Sequence, residues 1–504
     1  MAMKVVVALV LLCGCGASYV SRGSWIVNAT SNQRLHLKCM NWYGAHMESF
    51  VVAGLHVRSV GELAQTFAST GANCVRIPVS VDLTAKNPVV DPKHLSAVWK
   101  EDCESTYRAL DVMDCVVKHL RRHDILLIFN SHTSMAGWVG PGQKVSQGLW
   151  NLGQNYSTWD WIQSMEVLVR RYKMFGFDLR NEIHDQDGVV ITWGKTEDIH
   201  TDWLAASSLA SKHLRAIDKD LFIIVGGLCW NLDLRPLMKD VGPSDAFDDG
   251  KLIYTSHVYS WSFWWQLEPS LFEMLFNASI VFSFISLLIS LMCAVNYFHR
   301  MRYYLYKTFD SNMDYYFFKE VLYYFVSTSC VFHLCWLVMG CIFVSNAQWG
   351  GCSTLAEDAR WLVVTESVAF VLTFLMLCYW VPLEISMLAW FFLWIGLFFV
   401  SAFVVLCYLR TDGAIYGFLS MWALDNRPVP VWVGEFGTVL PGNDRVFGLI
   451  LDFIVNTYNL DFAYWPFNGD NYRFGKFSKE GFGIMEPDYV TVKNYTKVFH
   501  TLFG

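Results

Sequence analysis

Short apolar runs alternate with longer segments of helical periodicity through the first half of the chain. Six such runs are followed by two more near the C-terminus, at residues 35–42, 73–78, 125–130, 175–181, 222–225, 252–257, 429–434 and 461–465. Repeated strand and helix units of this kind predict a parallel sheet. Eight units are the number that a (β/α)8 TIM barrel requires, so the pattern predicts an α/β barrel.

A long apolar block separates the sixth and seventh predicted strands. It contains four runs with almost no charge, at 275–295, 321–344, 361–382 and 387–409, where Glu366 is the one carboxylate. Runs of this length predict bilayer spans, and they lack the polar face of a barrel helix. We therefore expect an all-α transmembrane bundle of about four helices, inserted into the barrel between strands 6 and 7.

The ends of the apolar runs predict an orientation in the membrane. The connection after the first run carries Arg300, Arg302, Lys307 and Lys319, whereas the next connection has Arg360 alone. Basic loops stay in the cytosol, so we expect loop 297–320 there and the catalytic parts on the luminal or extracellular side. Lys4 followed by a short apolar run predicts a signal peptide over 1–17. The sequence thus predicts an integral membrane protein of the secretory pathway or cell surface.

These patterns divide the chain into a first barrel part (18–262), a transmembrane insertion (263–424) and a second barrel part (425–504). Four Asn-X-Ser/Thr triplets, at Asn28, Asn155, Asn277 and Asn494, agree with a luminal route and a glycoprotein.

Composition narrows the classes of function. Hydrophobic residues make up 54% of the 504 positions, the net charge is −7, and no basic stripe follows the chain, which argues against nucleic-acid binding. Aromatic residues make up 16%, as in a sugar-stacking cleft or a membrane interface. The 14 cysteines show no metal-type pairing. Outside the apolar runs, six are free to form disulfides in partnerships that the sequence does not define: Cys39, Cys74, Cys103, Cys115, Cys229 and Cys352.

Polar and aromatic side chains stand at the carboxyl ends of several predicted strands: His132, Asn181, Glu182, His257, Glu435 and Trp465. For any one of them alone, a role as a cap or turn residue is the better interpretation. Together they lie on the face where such barrels build their sites. Glu182 and Glu435 then form the pair of carboxyl groups that glycoside hydrolysis needs, one to protonate the leaving oxygen and one to attack the anomeric carbon.

The motifs around these residues resemble glycoside hydrolase family 5, the cellulase-like retaining enzymes. The similar segments are 71–79 (GANCVRIPV), 130–132 (NSH), 177–182 (FDLRNE), 256–259 (SHVY) and 433–438 (VGEFGT), with Trp465 after the last strand. The resemblance implies that Glu182 is the acid/base and Glu435 the nucleophile. It implies that Arg76 and Tyr259 contact Glu435 and keep its pKa low. It also implies that His132, Asn181 and His257 bind hydroxyls or orient the acids, and that Trp465 stacks on the sugar.

The chain departs from the family pattern at two places. Ile183 follows Glu182 where the family usually has Pro, and the apolar block stands where the family has a short connection. The expected activity is hydrolysis of β-glucosidic bonds in oligo- or polysaccharides, without a metal or cofactor. The alternatives are a glycolipid-directed glycosidase of the same family at the bilayer, and a non-catalytic sugar-binding membrane receptor.

Overall fold

The computed structural model describes residues 18–99, 103, 107–138, 147–151, 155–234, 236–237, 250–259, 364, 367–368, 371, 429–439, 445–493 and 501–503. Eight parallel strands form a barrel: β3 (Lys38–Asn41), β4 (Cys74–Ser80), β5 (Leu126–Thr133), β6 (Gly176–Asp178), β7 (Phe222–Gly226), β8 (Leu252–Tyr259), β9 (Val431–Gly437) and β10 (Asp461–Tyr464). They close in the order β10-β3-β4-β5-β6-β7-β8-β9. The predicted α/β barrel is confirmed, since each strand overlaps one predicted run.

Two antiparallel hairpins accompany the barrel: β1 (Tyr19–Arg22) with β2 (Trp25–Asn28), and β11 (Asp470–Arg473) with β12 (Lys476–Lys479). The described α-helices of six or more residues are α1 (Val60–Ser69), α2 (Val81–Lys86), α3 (Ala109–Arg121), α4 (Thr158–Arg171), α5 (Trp203–Ile217) and α6 (Arg445–Asp452). Ser59 begins α1 with a capping box to Glu62, and Ser157 begins α4 in the same way with Asp160. These reciprocal bonds satisfy backbone N–H groups that a helix start leaves without partners.

Alternation along β4 shows how the barrel separates its two apolar layers. Val75 and Ile77 face the helices in the larger core, whereas Cys74 points into the barrel beside Ile128 and Trp432. Side chains two positions apart share a face of a strand, so Arg76 follows Cys74 into the interior, one step nearer the carboxyl end. The floor of the barrel is therefore apolar and its upper layer carries charge.

A bulge in β9 turns Glu435 toward the barrel axis. Trp432 points inward and Val433 outward, so strict alternation would send Glu435 outward with Val433. The register of β9 against β8 shifts here, since Ser256 pairs with Val433 but His257 pairs with Glu435. The extra residue is Gly434, and a Cβ on it would lie 2.5 Å from Thr255 Oγ1. The bulge therefore re-aims the carboxylate, and glycine is what fits there.

Two disulfides are described, Cys39–Cys74 and Cys103–Cys115, and Cys229 is disulfide-bonded as well. Cys39 and Cys74 are opposite one another on β3 and β4, with their Cα atoms 4.5 Å apart inside the barrel. This bond joins the first two barrel strands, which are 35 residues apart in sequence.

The prediction of an integral membrane protein is overturned. Within the residues that the structure describes, no helix is both long enough and apolar enough to cross a bilayer. The longest of them, α5, has 15 residues, which at about 1.5 Å each reach about 22 Å of the roughly 30 Å needed. The expected luminal orientation and cytosolic loop 297–320 are withdrawn with it. Apart from 364, 367–368 and 371, the predicted spans lie outside the described residues, as do the predicted signal peptide and positions 263–363 of the predicted insertion.

Removing the Cys39–Cys74 bond should destabilise the barrel more than removing Cys103–Cys115. A chain-entropy estimate gives about 4 kcal/mol for the longer loop and about 3 kcal/mol for the shorter. Denaturant unfolding of the Cys39→Ala/Cys74→Ala and Cys103→Ala/Cys115→Ala double variants measures both losses. An unchanged free energy of unfolding in the first variant would contradict the proposed link between β3 and β4.

Candidate active site

The upper end of the barrel gathers every site residue that the sequence singled out. Arg76, Tyr259 and Glu435 are in direct contact, and His257 joins Glu435 to Glu182. Asn181 accepts a hydrogen bond from Arg76, while His132 lies parallel to Trp465 with ring centroids 5.9 Å apart. These side chains come from β4, β5, β8 and β9 and from the residues just after β6 and β10.

Glu435 is held by two donors on different strands. Arg76 Nη1 donates to one carboxylate oxygen at 2.5 Å, and the Tyr259 hydroxyl donates to the other at 3.0 Å. Its side chain is 5% exposed. Burial raises the pKa of Glu435 above its usual value, although Arg76 acts in the opposite direction. The expected lowering is thus outweighed by removal of the carboxylate from water.

Arg76 is fully buried and uses its guanidinium to tie four elements together. Besides Glu435, it donates to Asp178 at 2.7 and 2.9 Å, to Asn41 at 2.9 Å and to Asn181 at 2.9 Å. Asn41 donates in turn to the carbonyl of Gly434 at 3.0 Å, which fixes the bulge beside Glu435.

Sequence analysis missed Asp178 and Asn41 as site residues. Asp178 was visible as a charge inside a predicted strand, and a charged residue in a barrel strand is rarely buried without a partner. Burial raises the pKa of Asp178 to about 6, with Arg76 opposing. Asn41 stands at the end of β3, the same kind of position that identified the other site residues.

Glu182 has a different environment from Glu435. Its backbone is in the left-handed region, with φ of 45°, shortly after the end of β6. The side chain keeps 18% of its surface exposed, and its Oε1 lies 3.0 Å from His257 Nδ1. Burial raises the pKa of Glu182 to about 7, and the more distant Arg76 lowers it only in part. With a pKa of about 7, Glu182 is about half protonated at neutral pH.

The two carboxyl groups face one another across a short gap. One oxygen of Glu182, one oxygen of Glu435 and one ring nitrogen of His257 all lie within 4.8 Å of each other. Burial lowers the pKa of His257 to about 3, so the imidazole is neutral. These three side chains offer metal-type donor atoms, but Arg76 already supplies the positive charge next to Glu435. Cys103, Cys115 and His119 form a second cluster, in which the disulfide occupies both sulfurs.

Aromatic rings form one wall of the site. Trp465 lies flat against Tyr43, with centroids 4.9 Å apart and 4° between the planes. The Tyr43 hydroxyl donates to the buried Glu480, which fixes the ring. Trp138 is in contact with Tyr43 and lies under the Arg473 guanidinium, whose Cζ is 3.1 Å from the centroid of the Trp138 ring. Trp42, by contrast, is a core residue that donates to the carbonyl of Ala53.

The comparisons with known proteins agree with this geometry. The family model for cellulase, glycosyl hydrolase family 5, matches residues 37–278. A glycosyl hydrolase 5 family protein of Chamaecyparis obtusa is 24% identical over 287 residues, 53% of this chain and 49% of its own length. An endoglucanase of Paenibacillus polymyxa is 26% identical over 218 residues, 42% of this chain and 51% of its own length. The matches thus span about half the length of these relatives.

Solved structures share the fold at lower identity. A hyperthermophilic endocellulase of Pyrococcus horikoshii aligns with a TM-score of 0.56 and 17% identity, covering 97% of this chain and 98% of its own. The catalytic domain of the major endoglucanase of Xanthomonas campestris aligns with a TM-score of 0.53 and 17% identity, covering 96% and 99%. The family match over residues 37–278 and the eight-stranded barrel make this chain similar to the cellulases of glycosyl hydrolase family 5, a family of glycoside hydrolases.

Proposed function

We propose that this chain hydrolyses β-glucosidic bonds of glucan chains with retention of configuration, as an endoglucanase-like enzyme. The observation that carries the proposal is the placement of Glu182 and Glu435, whose nearest oxygens lie within 4.8 Å at the carboxyl end of the barrel. Retaining glycosidases have carboxyl groups about 5 to 5.5 Å apart, whereas inverting enzymes need roughly 6.5 to 9.5 Å to admit a water molecule.

In the first step, a carboxylate oxygen of Glu435 forms a bond to the anomeric carbon as the bond to the leaving sugar oxygen breaks. Glu182 gives its proton to that oxygen. In the second step, Glu182, now ionised, takes a proton from water, whose oxygen attacks the anomeric carbon. The bond to Glu435 breaks, and both groups return to their initial states.

The contacts of each carboxyl group suit these roles. Glu435 receives hydrogen bonds from a guanidinium and a phenol, which favour its anion and leave it aligned for attack. Glu182 contacts the neutral His257, which stabilises a buried negative charge less than a cation would. The first is therefore suited to be the nucleophile and the second the acid/base.

The aromatic wall and the relatives support a proposal for the substrate class. Flat apolar faces of sugars pack on indole rings, and Trp465 is held in place by Tyr43 behind it. Asn181 and His132 add polar groups beside this surface. The relatives from Paenibacillus polymyxa and Xanthomonas campestris are named endoglucanases, and a variant of the Pyrococcus horikoshii endocellulase forms a complex with cellotetraose. We therefore propose β-1,4-linked glucose oligomers as the first substrates to test.

Replacing either glutamate by alanine should give a different product from each variant. Glu182→Ala and Glu435→Ala should each lower turnover of cellotetraose by on the order of 10⁴-fold or more. With a dinitrophenyl β-cellobioside and added azide, Glu182→Ala should form the β-glycosyl azide, because the covalent intermediate still forms. Glu435→Ala should form the α-glycosyl azide by direct displacement.

A matched control is Glu166→Ala, a glutamate on α4 that pairs with His213 at 2.9 Å on the surface. It should keep the turnover of the parent protein. Full activity in Glu435→Ala would eliminate this glutamate as the nucleophile.

The pH dependence of kcat/KM should be bell-shaped. The pKa of Glu182 is raised to about 7, and the reactive form is protonated, so activity should fall as the pH rises through about 7. Activity should also fall at acid pH as Glu435 takes up a proton. Burial also raises the pKa of Asp461 to about 7, but Asp461 begins β10 at the opposite end of the barrel. Asp461→Asn should therefore keep the alkaline limb, and its loss in this variant would reassign the titration.

The first product released from a β-linked substrate should have the β configuration. Two displacements at the same carbon restore the original stereochemistry, and one displacement inverts it. Proton NMR of the anomeric signals in the first minutes of reaction distinguishes the two, before mutarotation mixes them. A first product in the α configuration would contradict the double-displacement mechanism.

A further inference from the structure

A tight turn after β7 has an unusual backbone. Cys229, Trp230 and Asn231 have φ of 51°, 59° and 60°, so three consecutive residues with side chains occupy the left-handed region. Each such residue costs of order 1 kcal/mol or more, and asparagine tolerates the conformation best of the non-glycine residues. A turn of this kind persists where the surrounding contacts hold it.

The turn is hydrogen-bonded to, and stacked on, the segment that carries Glu182. Trp230 N donates to the carbonyl of Ile183 at 2.8 Å. The Trp230 indole also stacks on His184, with centroids 3.5 Å apart and 9° between the planes. The backbone of the turn therefore keeps a fixed position relative to the proposed acid/base.

The turn directs the Asn231 side chain at His257. Asn231 is fully buried, and its amide Nδ2 lies 3.3 Å from His257 Nε2. Gly226, the last residue of β7, makes room for this amide, because a Cβ there would lie 2.4 Å from Asn231 Oδ1. The opposite ring nitrogen, Nδ1, lies 3.0 Å from Glu182 Oε1 and 3.7 Å from Glu435 Oε2. Asn231, His257 and Glu182 thus form a continuous chain.

We propose that Asn231 is a positioning residue that fixes the tautomer of His257, with the proton on Nδ1 directed at Glu182. An amide N–H that donates to Nε2 requires a lone pair there, so the single proton of the neutral ring is on Nδ1. This inference rests on the proposed function, since it assigns the chain of hydrogen bonds behind the proposed acid/base.

The tautomer matters because it decides which oxygen of Glu182 carries the reactive proton. Nδ1–H donates to Oε1, which leaves the acidic proton on Oε2 for the leaving oxygen. The same N–H stabilises Glu182 when it is ionised between the two steps. With the proton on Nε2 instead, Nδ1 would accept the proton of Glu182 and compete with the substrate for it. The charged or titratable groups that act on His257 are Glu182, Glu435, Arg76 and His132.

The test compares two substitutions that keep the turn. Asn231→Asp has nearly the same shape and tolerates the left-handed backbone, but its carboxylate only accepts and so draws a proton to Nε2. Asn231→Gly keeps the backbone and removes the amide. Asn459 is an exposed asparagine with φ of 48° outside the site, so Asn459→Asp and Asn459→Gly are the matched controls.

The first measurement is nitrogen-15 NMR of the histidine rings, with His257 assigned by its absence in His257→Gln. The parent protein and both Asn459 controls should show a protonated Nδ1 and an unprotonated Nε2. Asn231→Asp should show a protonated Nε2, in either the neutral or the doubly protonated ring. A parent protein with the proton on Nε2 would overturn the inference, as would an unchanged His257 in Asn231→Asp.

The second measurement is kinetic. Asn231→Asp should lower kcat for cellotetraose by about 10- to 100-fold, as loss of an orienting hydrogen bond does, and change KM by less than about threefold. It should lose far less with dinitrophenyl β-cellobioside and azide, because that leaving group needs no proton and azide needs no base. Equal losses on both substrates would indicate general damage to the site and would overturn the inference.

The two measurements separate the inference from the proposed function. If the parent protein cleaves none of the β-glucosides, the proposed function fails, while the NMR result still decides the tautomer. If the parent protein is active and Asn231→Asp matches it in both measurements, the proposed function stands and the role of Asn231 is eliminated.

Discussion

The site depends on one buried cation. Arg76 has no exposed surface, and a guanidinium removed from water is costly unless several acceptors surround it. The barrel supplies Asp178 and Glu435 as counter-charges and the amide oxygens of Asn41 and Asn181 as neutral acceptors. These partners come from β3, β6 and β9 and the residues after β6. The hydrogen bonds that stabilise the buried Arg76 guanidinium therefore also fix the carboxyl ends of strands that are far apart in sequence.

The same constraint explains how early and late parts of the chain produce one site. Closure of the barrel pairs β10 with β3 and β9 with β8, so the last two strands lie between the first and the sixth. Asn41 binds the carbonyl of Gly434 across this closure, next to the bulge that turns Glu435 inward. Without the bulge, the alternation of β9 would send this carboxylate toward the helices. The chemistry is thus set by a local irregularity within a regular sheet.

The sequence predicted the features that have a local signature. Apolar runs of strand length marked all eight barrel strands, and polar residues at their ends marked Glu182 and His257. Contacts across the barrel have no such signature, so Asp178 and Asn41 were missed, as was the pairing of Cys39 with Cys74. Asn231 lies in a left-handed turn whose three residues include no glycine, so the sequence did not indicate the turn. The membrane prediction relied mainly on uncharged apolar runs, whereas no helix among the described residues is both long enough and apolar enough to cross a bilayer.

The difference between the two glutamates arises from their direct contacts, because burial acts on both. Removal from water raises the pKa of Glu182 and of Glu435 alike. Glu435 touches a guanidinium and a phenol, each of which favours the ionised carboxylate. Glu182 touches a neutral imidazole that is itself hydrogen-bonded to a neutral amide. If His257 were a cation, it would favour the ionised form of Glu182 as well, and Glu182 would no longer carry the proton that a general acid needs. Neutrality of the Asn231–His257 pair is therefore as necessary to the proposed chemistry as the charge of Arg76.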